Sequence, residues 1–307
     1  MSRPRLVIGV LTFRRTELLA ELLAVLPAQI SDAAELVDAS VLVVDNDPQG
    51  SAREVVAAAA GVHYVHETTP GIAAARYRCL AEASDAQLLQ FIDDDELPEV
   101  GWLRLMVQAW ASHGRPAAVA GSVLPRFVNE PDPWILAGKF FTRRRPATGT
   151  AMPAASTGNL LIDLRQARAL GVQFDHRLGL RGGEDTLFTS QLVARGGRII
   201  FCRESAVHDL VPPDRATREW VLKRAWHHGA TATHLELLNA IGRRQRAIIR
   251  ARRAGGGLAR WLVGSARAVA GRSRGDQAGH AKGLRLQQRG AGMARAALTA
   301  TPPEYLR

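Results

Sequence analysis

Between residues 6 and 123, short apolar runs alternate with stretches of helical period, one pair every roughly 25 to 35 residues. This alternation restricts the fold more than any other feature of the chain. Two strands separated by a helix are joined by a crossover, and strands joined by crossovers run parallel. The runs 6–12, 40–45, 62–67, 87–92 and 117–123 are expected as strands. Helices are expected over 15–26, 51–60, 71–83 and 101–112. The expected fold class is α/β, with a mostly parallel central sheet flanked by helices.

In such a sheet the carboxyl ends of parallel strands share one edge, and ligands bind in the crevice there. Four strands end in polar residues: Thr12-Phe13-Arg14-Arg15, Asp45-Asn46-Asp47, Thr68-Thr69-Pro70-Gly71, and Asp93-Asp94-Asp95-Glu96. Four adjacent carboxylates repel one another unless a cation sits among them. Hard divalent cations such as Mg2+ and Mn2+ prefer oxygen ligands and suit this cluster. The alternative is a solvated acidic turn before a helix, with Pro98 near its first turn. The first turn has no Gly-x-Gly-x-x-Gly, and no Walker A loop occurs. Any nucleotide must therefore be held by carboxylates and by a metal on its phosphates.

The alternation breaks after Pro125. Residues 125–157 carry Pro125, Pro131, Pro133, Pro146 and Pro153 and read as a long loop or lid. Trp134, Phe140 and Phe141 in this loop either stack on a bound ligand or anchor the loop. A strand is expected at 158–162, a helix at 165–170 and a last strand at 198–201. A glycine-rich approach, 179–183, leads into a helix from 184 to about 195. From 217 the chain reads as helical almost to its end.

Charge divides the sequence. Residues 240–307 hold fifteen Arg and Lys against Asp276 and Glu304, which is +13 of the formal net +11 and leaves the remainder at −2. Basic tails of this kind meet anionic lipid or nucleic acid. Within it, Leu258, Trp261, Leu262, Ser265 and Val269 share one helical face, while Arg260, Gly264, Arg267 and Gly271 take the opposite one. That composition suits an interfacial helix; the alternative is packing of the apolar face on the main domain. The tail lacks the interleaved aromatics of single-strand binders and any finger or helix-turn-helix signature, so no nucleic-acid partner is expected. Cys79 and Cys202 form no ligand-like pair and read as reduced packing residues. The first apolar run is too short for a signal peptide, and no stretch has the apolar length of a membrane span.

Seven stretches stand out: Thr12-Phe13-Arg14-Arg15, Val44-Asp45-Asn46, Gly71-Ile72-Ala73-Ala74-Ala75-Arg76, Asp93-Asp94-Asp95, Gly158-Asn159, Gly183-Glu184-Asp185 and Val207-His208. Together they resemble glycosyltransferase family 2. They stand in the family's order from about residue 5 to residue 230. Asp-Asp-Asp-Glu-x-Pro followed by Gly101-Trp102-Leu103 is most similar to bacterial exopolysaccharide transferases of the succinoglycan type.

The resemblance implies a GT-A fold, Rossmann-like, over 1–235. Its nucleotide-binding half would span about 1–123 and its acceptor half about 124–235, with a basic amphipathic helical tail over 236–307. It implies that Thr12, Phe13, Asp45, Gly71, Arg76, Asp93, Asp94 and Asn159 bind the nucleotide sugar. Phe13 would stack on the base, unless it is a core aromatic. Asp45 would bond base or ribose. Arg76 would face the diphosphate, unless it is an exposed helix residue. Asp94 would touch ribose, and Asp93 would support either group. Asp95 would coordinate Mn2+ or Mg2+, with His208 as a further ligand unless it bonds within its own loop. An acid of the Glu184-Asp185 pair would be the general base, with Asp185 favoured; the alternative is helix capping by an acidic first turn.

The implied activity is inverting, metal-dependent transfer of a sugar from a nucleoside diphosphate sugar, by family frequency a UDP-sugar, to a hydroxyl of a glycan or lipid-linked acceptor. The tail adds peripheral contact with an anionic membrane, at the inner face of the cell membrane in the cytoplasm. Three rivals are weighed against it. A sugar nucleotidyltransferase would need glycines in the first loop. A non-catalytic glycan- or membrane-binding scaffold should have lost Asp95 and Asp185. A nucleic-acid binder would have to act through the tail alone.

Overall fold

The computed structural model describes residues 3–179 and 182–299. In chain order the strands are β1 (Arg5–Thr12), β2 (Asp38–Asp45), β3 (Val62–His66), β4 (Leu88–Asp93), β5 (Glu96–Pro98), β6 (Ala118–Phe127), β7 (Asn159–Asp163) and β8 (Ile199–Val211). The α-helices are α1 (Thr16–Asp32), α2 (Arg53–Ala58), α3 (Ile72–Glu82), α4 (Trp102–Ser112), α5 (Pro133–Gly138), α6 (Leu164–Ala169), α7 (Glu184–Ala194), α8 (Arg218–Leu238), α9 (Gly242–Ser273) and α10 (Gln277–Leu298). The chain forms two compact units. One comprises Met1–Pro125 and Arg143–Leu210, the other Arg126–Thr142 and Val211–Arg307.

The first unit is built on the sheet, whose order is β3-β2-β1-β4-β7-β6-β8-β5. The β1–β2, β1–β4 and β2–β3 pairs are parallel, as the alternation requires. Beyond β4 the sheet is mixed rather than mostly parallel: β7 pairs antiparallel with β4, and β6 antiparallel with β7. Successive strand residues face opposite sides. Ile8, Val10, Val43, Leu88 and Ile92 bury one face against Leu19, Leu22, Leu26, Trp102 and Met106 of α1 and α4. Leu42, Val44, Leu89 and Phe91 bury the other against Cys79, Phe174, Phe188 and Leu192. Phe174 and Phe188 stack at 4.2 Å in that layer.

Three elements depart from the sequence expectation. Helix α1 passes through Pro27 to Asp32 instead of stopping near Leu26. Proline removes one helical N–H, but Leu26 and Gln29 on either side of it are buried, and packing carries the helix onward. The last strand, β8, extends far beyond Phe201. The exposed pair Arg203-Glu204 interrupts its apolar pattern, but its far half still pairs with the short strand β5. Residues 125–157 are not loop throughout, since they include the end of β6 and α5.

The second unit is helical. Trp134 of α5 is buried, stacks on Phe140 at 5.2 Å and donates its indole N–H to His280 Nδ1 at 3.1 Å. Phe141 stacks on Trp220 at 5.9 Å. These aromatics anchor the segment within its own unit. The expected boundary at 235/236 falls inside α8, while the compact units divide at Leu210/Val211.

Helices α9 and α10 meet through glycine. A Cβ on Gly264 would lie 2.7 Å from the Gly283 carbonyl oxygen, and one on Gly257 2.7 Å from that of Gly290. The buried face of α9 is therefore Ile249, Gly257, Gly264, Ala268 and Gly271. Leu258, Trp261, Leu262 and Val269 remain exposed. Packing on the small-residue face, not the apolar one, is the reverse of what hydropathy suggests.

Candidate active site

The ends of β1, β2 and β4 converge as the parallel register demands. Thr12 closes β1, and its hydroxyl donates to Asp94 Oδ2 at 2.8 Å. Arg15, just before α1, places Nη1 2.9 Å from Asp94 Oδ1 and 2.7 Å from Asp95 Oδ2. A cation does sit among the carboxylates, and it is this guanidinium. Burial alone would lower the Arg15 pKa, but the charges of Asp95 and Asp94 outweigh it and hold the group above its ordinary value.

The acids remain electrostatically crowded. Burial pushes the Asp94 carboxyl up to about 6, against the opposing pull of Arg15 and the Thr12 hydrogen bond. Asp93 is raised by desolvation, partly countered by Arg76, whose Nη2 lies 3.9 Å from Asp93 Oδ1. Glu96 is buried and held well above the carboxylate range, first by burial and then by the Asp93 charge. Its Oε2 accepts from the Asp93 backbone N–H at 3.1 Å. A Cβ on Gly158 would stand 2.6 Å from Glu96 Oε1 and 3.1 Å from Asp93 Oδ2, so the glycine makes room for the acids.

The nucleotide-side residues divide into lining and support. Phe13 is half-buried, with the Arg14 guanidinium 5.0 Å over its ring. Arg14 has a left-handed backbone (φ 56°) and donates from Nε to Asp47 Oδ1 at 3.0 Å. Asp45 is fully buried and accepts from Asp47 N at 2.9 Å, Ala52 N at 2.8 Å and Tyr64 Oη at 3.1 Å. It shapes the loop after β2 instead of opening onto the crevice. Asn159 is likewise internal. Its Oδ1 accepts from Trp102 Nε1 at 2.9 Å, and its Nδ2 donates to the carbonyls of Ser122 and Ser205, each at 3.1 Å. It ties α4, β6 and β8 to β7 from behind the acids.

Gly71 precedes α3 at φ 123°, and a Cβ there would meet the Gly179 backbone at 2.8 Å. This close approach sets the start of α3 beside Gly179. Arg76 is buried, not an exposed helix residue, and forms an ion pair with buried Glu184. Asp185, the next residue, is half-exposed. Its Oδ1 accepts from its neighbour Thr186, at 2.5 Å from N and 3.2 Å from Oγ1. Its second oxygen has no hydrogen bond among the described residues. A hydrogen bond within the first turn of α7 and a second oxygen without one therefore coexist at this residue.

His208 does not join the acids. It stands opposite Leu97 in the β5–β8 ladder, and its Nε2 lies 2.9 Å from Glu99 Oε1. Among the described residues no three His, Cys, Asp or Glu side chains converge as a metal-binding group. The oxygen donors of the cluster match a hard divalent cation, which would favour the ionised form that burial disfavours at Asp93, Asp94 and Glu96. Arg15 and Glu96 were missed as site residues in the sequence, although the need for a cation beside four acids pointed to the former.

Comparison with known proteins follows the same outline. The family described as "Glycosyl transferase family 2" matches residues 7–167, more than half of the chain. The succinoglycan biosynthesis protein ExoM of Rhizobium meliloti (strain 1021) is 34% identical over 243 residues, covering 78% of this chain and 77% of the relative. The crystal structure of S. aureus TarS 1-349 in complex with UDP-GlcNAc superposes with a TM-score of 0.54 at 14% identity, over 90% of this chain and 89% of that one. A longer S. aureus TarS structure matches with a TM-score of 0.50 at 17% identity; the match covers 80% of this chain but only 42% of that one.

Proposed function

The chain belongs to glycosyl transferase family 2 and is a glycosyltransferase, and on that premise we propose that it transfers a sugar, with inversion, from a UDP-sugar to a hydroxyl of a glycan or lipid-linked glycan in cell-surface polysaccharide synthesis. The observation that carries this reading is the half-exposed Asp185 carboxylate at the start of α7, next to Glu184, whose partner Arg76 also reaches Asp93 of the acid cluster. The UDP donor is supported by the UDP-GlcNAc complex of the TarS neighbour. The polysaccharide role is supported by the printed name of the succinoglycan relative.

Thr12, Phe13 and the loop held by Asp45 form the nucleotide side. Arg76, beside Asp93, faces the diphosphate. Asp95 and Asp93 would hold a divalent ion, Mn2+ or Mg2+, which supplies Lewis-acid neutralisation of the diphosphate as it leaves. Asp185 takes the proton from the acceptor hydroxyl as that oxygen attacks the anomeric carbon and the bond to the diphosphate breaks. With one base on the acceptor side and no second carboxylate placed by motif as a nucleophile, a single displacement inverts the anomeric centre.

The acceptor is membrane-proximal in this reading. Leu258 (56% exposed), Leu262 (54%) and Val269 (70%) form an uncovered apolar line on a helix rich in arginine, suited to peripheral contact with an anionic bilayer surface at the inner face of the cell membrane. No described helix is long and apolar enough to cross a membrane.

The test is thermal unfolding with UDP, GDP or dTDP, each with and without Mn2+ or Mg2+, since a ligand of the native state raises Tm by mass action. A shift with UDP only in the presence of metal is expected. A metal-independent shift would remove the ion from the mechanism, and a shift with GDP alone would replace the donor.

A further inference from the structure

The ion pair between Arg76 and Glu184 joins a diphosphate-side residue to one with no role in the chemistry just described. Both residues are buried, at 5% and 4% exposure. Arg76 stands on α3, whose amino end is pressed against Gly179. Glu184 is the first residue of α7. Neither group is fully satisfied: Arg76 Nε and Glu184 Oε2 are buried without a hydrogen-bond partner. Removing such a pair from water is costly, and a hydrophobic pair of similar volume often serves folding as well or better. What the ionic pair adds is fixed geometry. The arginine reaches both Glu184 and, at 3.9 Å, Asp93 of the acid cluster.

Consecutive residues on a helix point about 100° apart. With Glu184 turned into α3, Asp185 is turned to a more open side. A general base must come within hydrogen-bond reach of the acceptor hydroxyl. Glu184, enclosed and capped by a guanidinium, offers no such approach.

We propose that Glu184 is a positioning residue: through Arg76 it pins the first turn of α7 to α3 and so sets Asp185 relative to the acid cluster. This rests on the reading of Asp185 as the base. The pair joins the donor-side helix to the helix that carries the base, so the two sides of the reaction share one buried contact.

The test compares full-length wild type, E184Q and D185N. UDP release from UDP-GlcNAc and from UDP-glucose is followed across pH, and amide hydrogen exchange is followed over residues 184–190. A misplacement of about 1 Å costs roughly 10²-fold in rate, so E184Q is expected to lower kcat about 10- to 100-fold. Its donor KM should stay near wild type, and its acid-side loss of rate should be retained. D185N should lose about 10²–10⁴-fold, the usual contribution of a general base, and with it the acid limb. The first turn of α7 should exchange faster in E184Q than in wild type.

Loss of the acid limb in E184Q, with its retention in D185N, would make Glu184 the base and overturn the proposal. Unchanged exchange over 184–190 together with unchanged kcat would overturn it equally. Should E184Q not fold, E184D keeps the charge and Arg76 but shortens the arm by one carbon, and a lowered kcat with the same acid limb is expected. Wild type that releases UDP from neither sugar would count against the UDP-sugar reading alone, and the exchange data would still decide the positioning role.

Discussion

Arg15 Nη1 lies 2.7 Å from Asp95 Oδ2, and the same nitrogen lies 2.9 Å from Asp94 Oδ1. One side chain therefore offsets the charge of two adjacent acids, at the position where a divalent ion would do the same. R15M should lower stability at neutral pH by about 2 kcal/mol, the scale of hydrogen bonds to charged groups. Mn2+ should then raise the Tm of R15M more than that of wild type, because the ion restores charge that the variant lacks. An equal or smaller Mn2+ shift in R15M would show that Arg15 and the ion do not offset the same charge.

Asp94 makes stability depend on pH in an unusual direction. Its folded pKa, about 6, is above the ordinary 3.8. Between these values the native state binds more protons than the unfolded one, so this group's contribution falls as pH rises. The full effect is about 3 kcal/mol at roughly 1.4 kcal/mol per pKa unit. D94N should flatten that loss, so the stability difference between D94N and wild type should shift in favour of the variant from pH 4 to pH 7. Denaturant unfolding at both pH values measures this, and a pH-independent difference would contradict the assigned environment.

Asn159 separates a structural role from a binding one. Four groups share its amide: Gln90, Trp102, and the carbonyls of Ser122 and Ser205. N159A leaves several buried polar atoms unpaired at about 1–3 kcal/mol each, so a destabilisation of 3 kcal/mol or more is expected, about the same size as losing two such bonds. Nucleotide affinity, measured at a temperature where the variant is folded, should change little. A large drop in UDP affinity with normal stability would place the amide in the nucleotide site after all.

The parts of this molecule legible in its sequence are those with a short-range signal. Strands β1 to β4 announce themselves by apolar runs, and their shared polar edge follows from parallel pairing. The Asp93-Asp94-Asp95 turn and the start of α7 were legible for the same reason. His208 reads from sequence as a loop residue because Arg203 and Glu204 break the apolar pattern of β8. The partner of Asp95 was not legible because 80 residues separate it from Arg15. Asp45 and Asn159 carry the expected chemistry, but only the folded chain shows that their polar atoms are already engaged within the sheet and its loops. The packing face of α9 was hidden because glycine contributes close approach and almost no hydropathy.

That glycine face leads to the last prediction. With Gly257, Gly264 and Gly271 set against α10, the apolar line of α9 has no cover within its own helical unit. Exposed apolar side chains next to arginines bind an anionic bilayer by two additive routes, apolar burial and about 1 kcal/mol of attraction per basic residue near the surface. The protein should cosediment with vesicles containing phosphatidylglycerol and much less with pure phosphatidylcholine. Raising the salt should weaken binding, since screening shortens the reach of the arginines. L258S/L262S/V269S changes only exposed positions, so its unfolding should match wild type within about 0.5 kcal/mol. Its vesicle binding should nevertheless fall at least tenfold. Binding that survives this triple substitution would assign the membrane contact to the basic charge alone, and α9 would then need another partner for its apolar line.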